Sequence, residues 1–292
     1  MIVWLASYPK SGNTWLRSIL GQFFEEDLNE DKVFERSKKI RLYPSNIDYL
    51  EIDDVFKSKI YLQEQKKEIL DKTIINWSTT QSKINLNNNI KYLKTHNMLC
   101  KININDKSYS FTNLENTIGV IHIVRDPRNV LTSLKNHFGL VNDKDALKFM
   151  FNENLTIGLD VNKVPQLLSS WKNHYNSWKR FPKNNILIKY EDLLNDTKNQ
   201  ILRLINYLKN FTKISISNHN LDKIIANSSF ENLKRLEAKG MFDENSVDKS
   251  SGKSKVFFNM GAKNDWKKLL DYKSRSLIEE KFKQEMTELG YL

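Results

Sequence analysis

The stretch IVWLASYPKSGNTWLR, residues 2–17, joins two patterns through one turn. Ile2 to Ala6 is a short continuous apolar run, the mark of a parallel strand buried on both faces. From Asn13 or Thr14 onward, Trp15, Leu16, Ile19, Leu20, Phe23 and Phe24 recur at helical spacing. Between them stands Pro-Lys-Ser-Gly-Asn-Thr. A helix N-terminus presents unpaired N–H donors and a partial positive charge, which suits a phosphate. Gly12 lets the backbone approach a ligand, Lys10 adds a full charge, and Ser11 and Thr14 add hydroxyls. The turn reads as a phosphate grip, with an ordinary strand-to-helix connection as the open alternative. The Walker order G-x-x-x-x-G-K-[ST] is absent, because here the lysine precedes the glycine, and this disfavours a generic nucleotide kinase.

The theme repeats downstream. IKYLKTH (90–96) reads as a strand ending in polar groups, and Ile118 to Val124 as another strand. After the latter, Asp126 can cap a helix and Pro127 suits its first position. Pro165 to Phe181 reads as a helix with Trp171 and Trp178 on one face, and a further helix is placed near Tyr61 to Leu70. ILIKYEDLLND (186–196) is again strand into helix, the helix continuing through Ile201, Leu204, Ile205 and Leu208. A charged helix through Leu277, Ile278, Phe282 and Met286 closes the chain. Strands alternating with helices predict an α/β fold: a single domain over residues 1–292, with a mostly parallel central sheet flanked by helices and a P-loop-like strand–loop–helix at its start. Ligands gather in such sheets where strands end and helices begin.

Composition bounds the rest. A hydrophobic share of 39% supports a sizeable core. No stretch approaches the length of a transmembrane span, and no charged leader precedes Ile2, so a cytoplasmic protein is expected. One cysteine, Cys100, excludes an internal disulfide and any multi-cysteine zinc site. His122, His137, His174 and His219 lack metal-ligand spacing, so no metal is expected. The net charge of +11 comes mostly from scattered lysines rather than a basic stripe with interleaved aromatics, so nucleic acid is not the expected partner. A positive field that attracts an anionic ligand fits the same charge.

Read together, the segments resemble one family. YPKSGNTW (8–15) is similar to the 5′-phosphosulfate loop of sulfotransferases that use 3′-phosphoadenylyl sulfate (PAPS). VRDPRNVLTSLKNHF (124–138) resembles that family's 3′-phosphate segment, with Arg125 ending a strand and Ser133 on the following helix. LKTH (93–96) resembles the segment carrying its catalytic histidine, and ILIKYEDL (186–193), SSF (228–230) and GAKNDWK (261–267) match later landmarks in order. The resemblance implies catalytic roles for Lys10, at the departing phosphate oxygen, for His96, as general base, and for Lys94, beside the transferring group. It implies nucleotide contacts from Lys10, Ser11, Gly12, Asn13, Thr14, Trp15, Arg125, Ser133, Tyr190, Ser228, Phe230 and Gly261, with Trp15 against the adenine. PAPS is then the co-substrate, PAP the product, and the acceptor a hydroxyl on a small molecule, lipid or glycan. Residues 25–90 and 139–164 are expected around the acceptor, and 242–265 as a nucleotide lid.

Two departures stand out. Many family members carry Arg-Lys-Gly before Gly-Asp-Trp, whereas FNMGAKNDWK here has Asn259 and Met260 for the basic pair and Asn264 for the second glycine. Lys253, Lys255 or Lys263 are the candidate replacements. The Lys-x₃-Thr-Val-x₃-Glu dimer motif is also missing: KKLLDYKSRS (267–276) follows Trp266. The alternatives at this point are a protein that binds PAP or an anionic polymer without turnover, and a variant nucleotide kinase.

Overall fold

In the computed structural model, which describes residues 1–45, 66–84, 89–158, 164–244 and 255–292, Ile2–Ser7 forms strand β1, buried along its whole length. Its neighbours explain the burial. Strands β2 (Arg41–Leu42), β3 (Lys91–Thr95), β6 (Thr117–Val124) and β9 (Asn185–Lys189) join it in one sheet of order β2-β3-β1-β6-β9. The pairings β2/β3, β1/β3 and β1/β6 are parallel. A strand bonded on both edges and covered on both faces has no place for polar side chains except its ends, hence Ile-Val-Trp-Leu-Ala. The order also places a topological switch at β1, with β3 on one side and β6 on the other, where open α/β sheets bind ligands.

Two compact units are built from interleaved segments. The first comprises residues 1–8, 40–123 and 152–187. It holds the sheet, the hairpin β4 (Lys101–Ile104) and β5 (Lys107–Ser110), the short pair β7 (Thr156–Ile157) and β8 (Gln166–Leu167), and helices α3 (Lys66–Ile84) and α6 (Trp171–Lys179). Its core is aromatic: the Phe111 ring touches those of Trp4, Tyr43, Trp77 and Trp178 at 5.1–6.2 Å between centroids. The Trp4 indole also donates to Thr117 Oγ1 at 2.9 Å, and the Trp178 indole to the Asn97 carbonyl at 2.8 Å, whereas Trp77 Nε1 has no partner among the described residues.

The second unit comprises residues 9–39, 124–151 and 188–292. It is mostly helical: α1 (Asn13–Leu20), α2 (Val33–Ser37), α4 (Pro127–Phe138), α5 (Asp143–Phe151), α7 (Tyr190–Asn195), α8 (Thr197–Leu208), α9 (Asn218–Asn227), α10 (Phe230–Ala238), α11 (Trp266–Leu269), α12 (Tyr272–Lys281) and α13 (Lys283–Glu288). Val33, Phe34, Leu233, Leu236, Phe242 and Phe258 form one of its buried clusters.

Several elements differ from the sequence-based expectations for local reasons. The helix expected from Pro165 starts at Trp171, because Ser170 caps it by accepting from Asn173 N–H at 3.2 Å and Gln166–Leu167 is spent as β8. The helix placed near Tyr61 to Leu70 runs over Lys66–Ile84, and residues 61–65 lie outside the described residues. The segment after Tyr190 is two helices, broken at Asp196, whose φ of −144° is not helical and whose side chain caps α8. The 242–265 segment was expected to bury little. Instead Phe242 and Phe258 are both inside the second unit's core, and residues 245–254 lie outside the described residues. Among the described residues no helix is long and apolar enough to cross a membrane.

Because Phe111 is fully buried among four aromatic rings that cannot close over a void, Phe111→Ala should cost about 3–5 kcal/mol of folding stability. Urea unfolding followed by tryptophan fluorescence measures it; a loss under ~1 kcal/mol would mean that the cluster repacks freely.

Candidate active site

The turn that leaves β1 belongs to the second unit, and its backbone is unusual. Lys10 has φ 66° and Gly12 has φ 100°. A side-chain-bearing residue in the left-handed region costs of order 1 kcal/mol, so Lys10 is held against its own preference. At Gly12 glycine alone adopts the geometry cheaply. Gly12 is also the N-cap of α1 and offers no side chain to the first-turn N–H groups, while its carbonyl accepts the first helical bond from Leu16 at 3.0 Å. The helix therefore starts with donors uncapped by any side chain, the arrangement that takes an anion. Ser11 is fully buried, and its hydroxyl has no partner among the described residues. Asn13 and Thr14 are buried beside it.

Arg125 ends β6 in the same unit. Its guanidinium is 6% exposed, donates to the Lys10 carbonyl at 3.2 Å and to Ser133 Oγ at 3.3 Å, and lies 4.1 Å over the Tyr190 ring. Its Nε has no acceptor, and no carboxylate lies within ion-pair distance of it among the described residues. The neighbouring Asp126 is taken: it caps α4 through Arg128 N–H at 2.9 Å and pairs with the Arg128 side chain at 2.7 Å. Arg128 is further held by Glu279 at 2.5 Å and by the Trp266 ring at 3.8 Å. The Arg125–Asp126 pairing that a structural role would need is thus absent. Glu191, whose carboxyl burial pushes above its usual value, accepts from Asp126 N–H and the Tyr291 hydroxyl instead. The Glu191 carboxyl feels the charge of Arg125 but does not pair with it, so the guanidinium keeps Nε for a further acceptor.

Trp15 meets Tyr190 edge to face at 5.5 Å, so the aromatic pair lies beside Arg125. Gly261 has φ 52°, and a Cβ there would stand 2.7 Å from the Phe230 ring, so this glycine is required by close approach. Ser228 is buried and accepts from Gln22 at 3.0 Å, which makes it a framework contact here. Lys10 Nζ sits 3.8 Å over the Phe257 ring, and Glu237 accepts from the backbone N–H groups of Phe257 and Phe258 at 2.6 and 2.9 Å.

Asn264, the residue standing where the family resemblance expects glycine, is the contact that sequence reasoning missed. Its amide donates to Ser133 Oγ at 2.9 Å and to the Asn129 carbonyl at 3.0 Å, and it accepts from Thr132 Oγ1 at 2.6 Å. Of the candidate replacement lysines, Lys255 reaches the Asn136 carbonyl at 3.4 Å, Lys263 is exposed, and Lys253 lies outside the described residues. Asn259 is exposed and Met260 half-buried.

His96 and Lys94 belong to the first unit. Lys94 lies in β3, in register with Leu5 and Leu42 on its two neighbours, and its carbonyl accepts from Tyr43 N–H at 2.8 Å. One residue past the strand, His96 Nδ1 stands 2.8 Å from the Ser7 carbonyl and 3.2 Å from Ser7 Oγ. A carbonyl only accepts, so Nδ1 carries the proton and the lone pair of the neutral ring is on Nε2. Behind it lie groups that the sequence assigned no role. Burial pushes the His122 imidazole down to about 3 and His174 well below its ordinary value, and it pushes the Tyr8 phenol well above its own.

The comparisons with known proteins bear on family and fold. A family model described as "Sulfotransferase domain" matches residues 2–290. Sulfotransferase 1E1 of Rattus norvegicus is 23% identical over 292 residues, covering 97% of this chain and 82% of that protein. Cytosolic sulfotransferase 8 of Arabidopsis thaliana is 27% identical, covering 95% and 75%. Among solved structures, retinol dehydratase in complex with androsterone and PAP superposes with a TM-score of 0.60 at 18% identity, over 98% of this chain and 80% of that one. A mouse sulfotransferase complexed with PAP gives 0.55 at 17% identity, over 97% and 83%.

Two predictions follow from the charges. Arg125→Gln removes the guanidinium charge while keeping a donor, so unliganded stability should stay within ~1 kcal/mol. Thermal stabilisation by inorganic pyrophosphate should meanwhile fall by roughly half or more; equal stabilisation of both proteins would remove the anion role of Arg125. For the histidines, the folded-state values lie below the unfolded value of 6.5, so the unfolded chain binds more protons in acid. Stability should therefore be lost as pH falls from about 6.5 toward 3, and His122→Leu should flatten that slope by up to ~1.4 kcal/mol per pH unit. Urea titrations at several pH values read this directly.

Proposed function

The chain belongs to the sulfotransferase domain family and is a sulfotransferase, and on that premise we propose that it moves the sulfuryl group of PAPS to an acceptor hydroxyl, with His96 as general base and Lys10 at the leaving phosphate. The single observation that supports the donor most is the buried Arg125 guanidinium, bonded to Ser133 and with no carboxylate among the described residues at ion-pair distance. The described side chains fit a phosphorylated nucleotide: an uncapped helix start after Gly12, an unpartnered Ser11 hydroxyl, and an aromatic pair, Trp15 and Tyr190, beside the guanidinium. PAPS supplies an activated sulfuryl group on a phosphate leaving group.

In this reading Arg125 and the Ser133 hydroxyl are the donors for the 3′-phosphate, and Asn264, whose two amide N–H groups go to Ser133 Oγ and the Asn129 carbonyl, holds that hydroxyl with its own proton left to donate, where the basic pair is replaced by Asn259 and Met260. Ser11, Gly12, Asn13 and Thr14 hold the 5′-phosphate. The Lys10 ammonium neutralises charge building on the departing oxygen, a type of donor whose removal typically costs roughly 10²–10³ in rate. His96 takes the acceptor proton on Nε2, because the Ser7 carbonyl has fixed the other nitrogen as donor. Lys94 stabilises the sulfuryl oxygens, and Phe230 with Gly261 closes around the base. The acceptor is a hydroxyl on a small molecule, lipid or glycan.

Incubation with labelled PAPS and a cell extract, followed by isolation of the labelled product, tests the activity. His96→Ala should abolish labelling while PAP still binds by calorimetry, and Lys10→Ala should lower transfer by roughly 10²–10³. Unchanged labelling by His96→Ala would reject the assigned base. A protein that binds PAP but labels nothing would favour the non-catalytic alternative.

A further inference from the structure

The first unit contains a buried polar group that the proposed chemistry leaves unused. His174 is 1% exposed on α6, Tyr8 follows the last residue of β1, and His122 lies in β6. The His174 ring meets Tyr8 edge to face at 5.7 Å and His122 at 6.1 Å. The groups that face it are therefore Tyr8 from the end of β1, His122 from β6 and His96 from the end of β3.

Hydrogen bonding fixes which atom does what. His174 bonds to the backbone of His96 and raises its own proton affinity by doing so, as a ring N–H donating to a carbonyl does. Its Nε2 is buried with no partner, so the donor is Nδ1. Burial keeps the ring neutral, so this is a single, fixed donor. The same ring therefore meets the backbone of His96 and the side chain of the residue that follows Ser7. It bonds the peptide of His96 itself, and it lies against Tyr8, whose predecessor Ser7 supplies the carbonyl that accepts from His96 Nδ1.

We propose that His174 is a positioning residue for His96: its Nδ1–H, by tying the His96 carbonyl while its ring abuts Tyr8, holds the ends of β3 and β1 at the separation that keeps the His96 proton on Nδ1. The inference rests on the reading of His96 as base, but its test does not. The orientation of one imidazole is measurable without any acceptor.

Long-range ¹H–¹⁵N NMR of the full-length protein at about pH 8, where the imidazole is neutral, reports the two His96 tautomers. In wild type the Nδ1–H form should dominate. His174→Phe fills the same volume without a donor, and the Nδ1–H to Nε2–H ratio of His96 should fall roughly two- to tenfold, the equivalent of one hydrogen bond. His174→Asn places an amide N–H where Nδ1 was and should restore the ratio, whereas His174→Gln places it at the other nitrogen's position and should not. Should the Phe variant fail to fold, the Asn and Gln variants make the same comparison. An unchanged ratio in Phe, or equal ratios in Asn and Gln, would overturn the proposal. Failure of the base reading shows differently, as labelled transfer surviving His96→Ala with the wild-type tautomer intact.

Discussion

Strand β1 is bonded on both edges and buried on both faces, and this constraint arranges the rest. Nothing reactive fits along such a strand, so chemistry collects where it stops. At that stop the chain does two things within a few residues. Ser7 offers a carbonyl to His96, and Lys10 to Gly12 turn through left-handed backbone into an uncapped helix. The apolar pentapeptide at the start is thus the reason that the polar hexapeptide after it is positioned at all.

The charges are divided unequally between neighbouring arginines. Two arginines stand three residues apart. Arg128 receives Asp126, Glu279 and an indole face, and it ties α4 to α12. Arg125 receives a carbonyl, a hydroxyl and a phenol face, all neutral. Asp126 and Glu279 both pair with Arg128, and among the described residues Arg125 has only the more distant Glu191 to balance its charge. One arginine is thereby committed to the framework, while the other keeps a nitrogen without an acceptor among the described residues.

Much of this was legible in the chain. Ile2–Ala6, Ile118–Val124 and the turn between residues 8 and 15 announce themselves by pattern, because a doubly covered strand and a glycine-led helix start each need a narrow set of residues. Other features were not legible, for physical reasons. The start of α6 at Trp171 depended on Gln166–Leu167 finding a strand partner, which periodicity does not report. The polar look of 242–265 hid Phe242 and Phe258, which bury because a core elsewhere in the same unit receives them. Asn264 read as a loss of glycine, since nothing local shows that its amide reaches Ser133. His174 looked like any helical histidine until the ends of two strands were set against it.

The seat of Lys10 on Phe257 has a consequence of its own. A carboxylate there would hold the ammonium more tightly but would quench its field. A benzene ring attracts a cation by its quadrupole and contributes no counter-ion. The contact with Phe257 thus tethers the side chain without itself cancelling the charge. Glu237 fixes that ring in turn, by accepting from the backbone N–H of Phe257 itself.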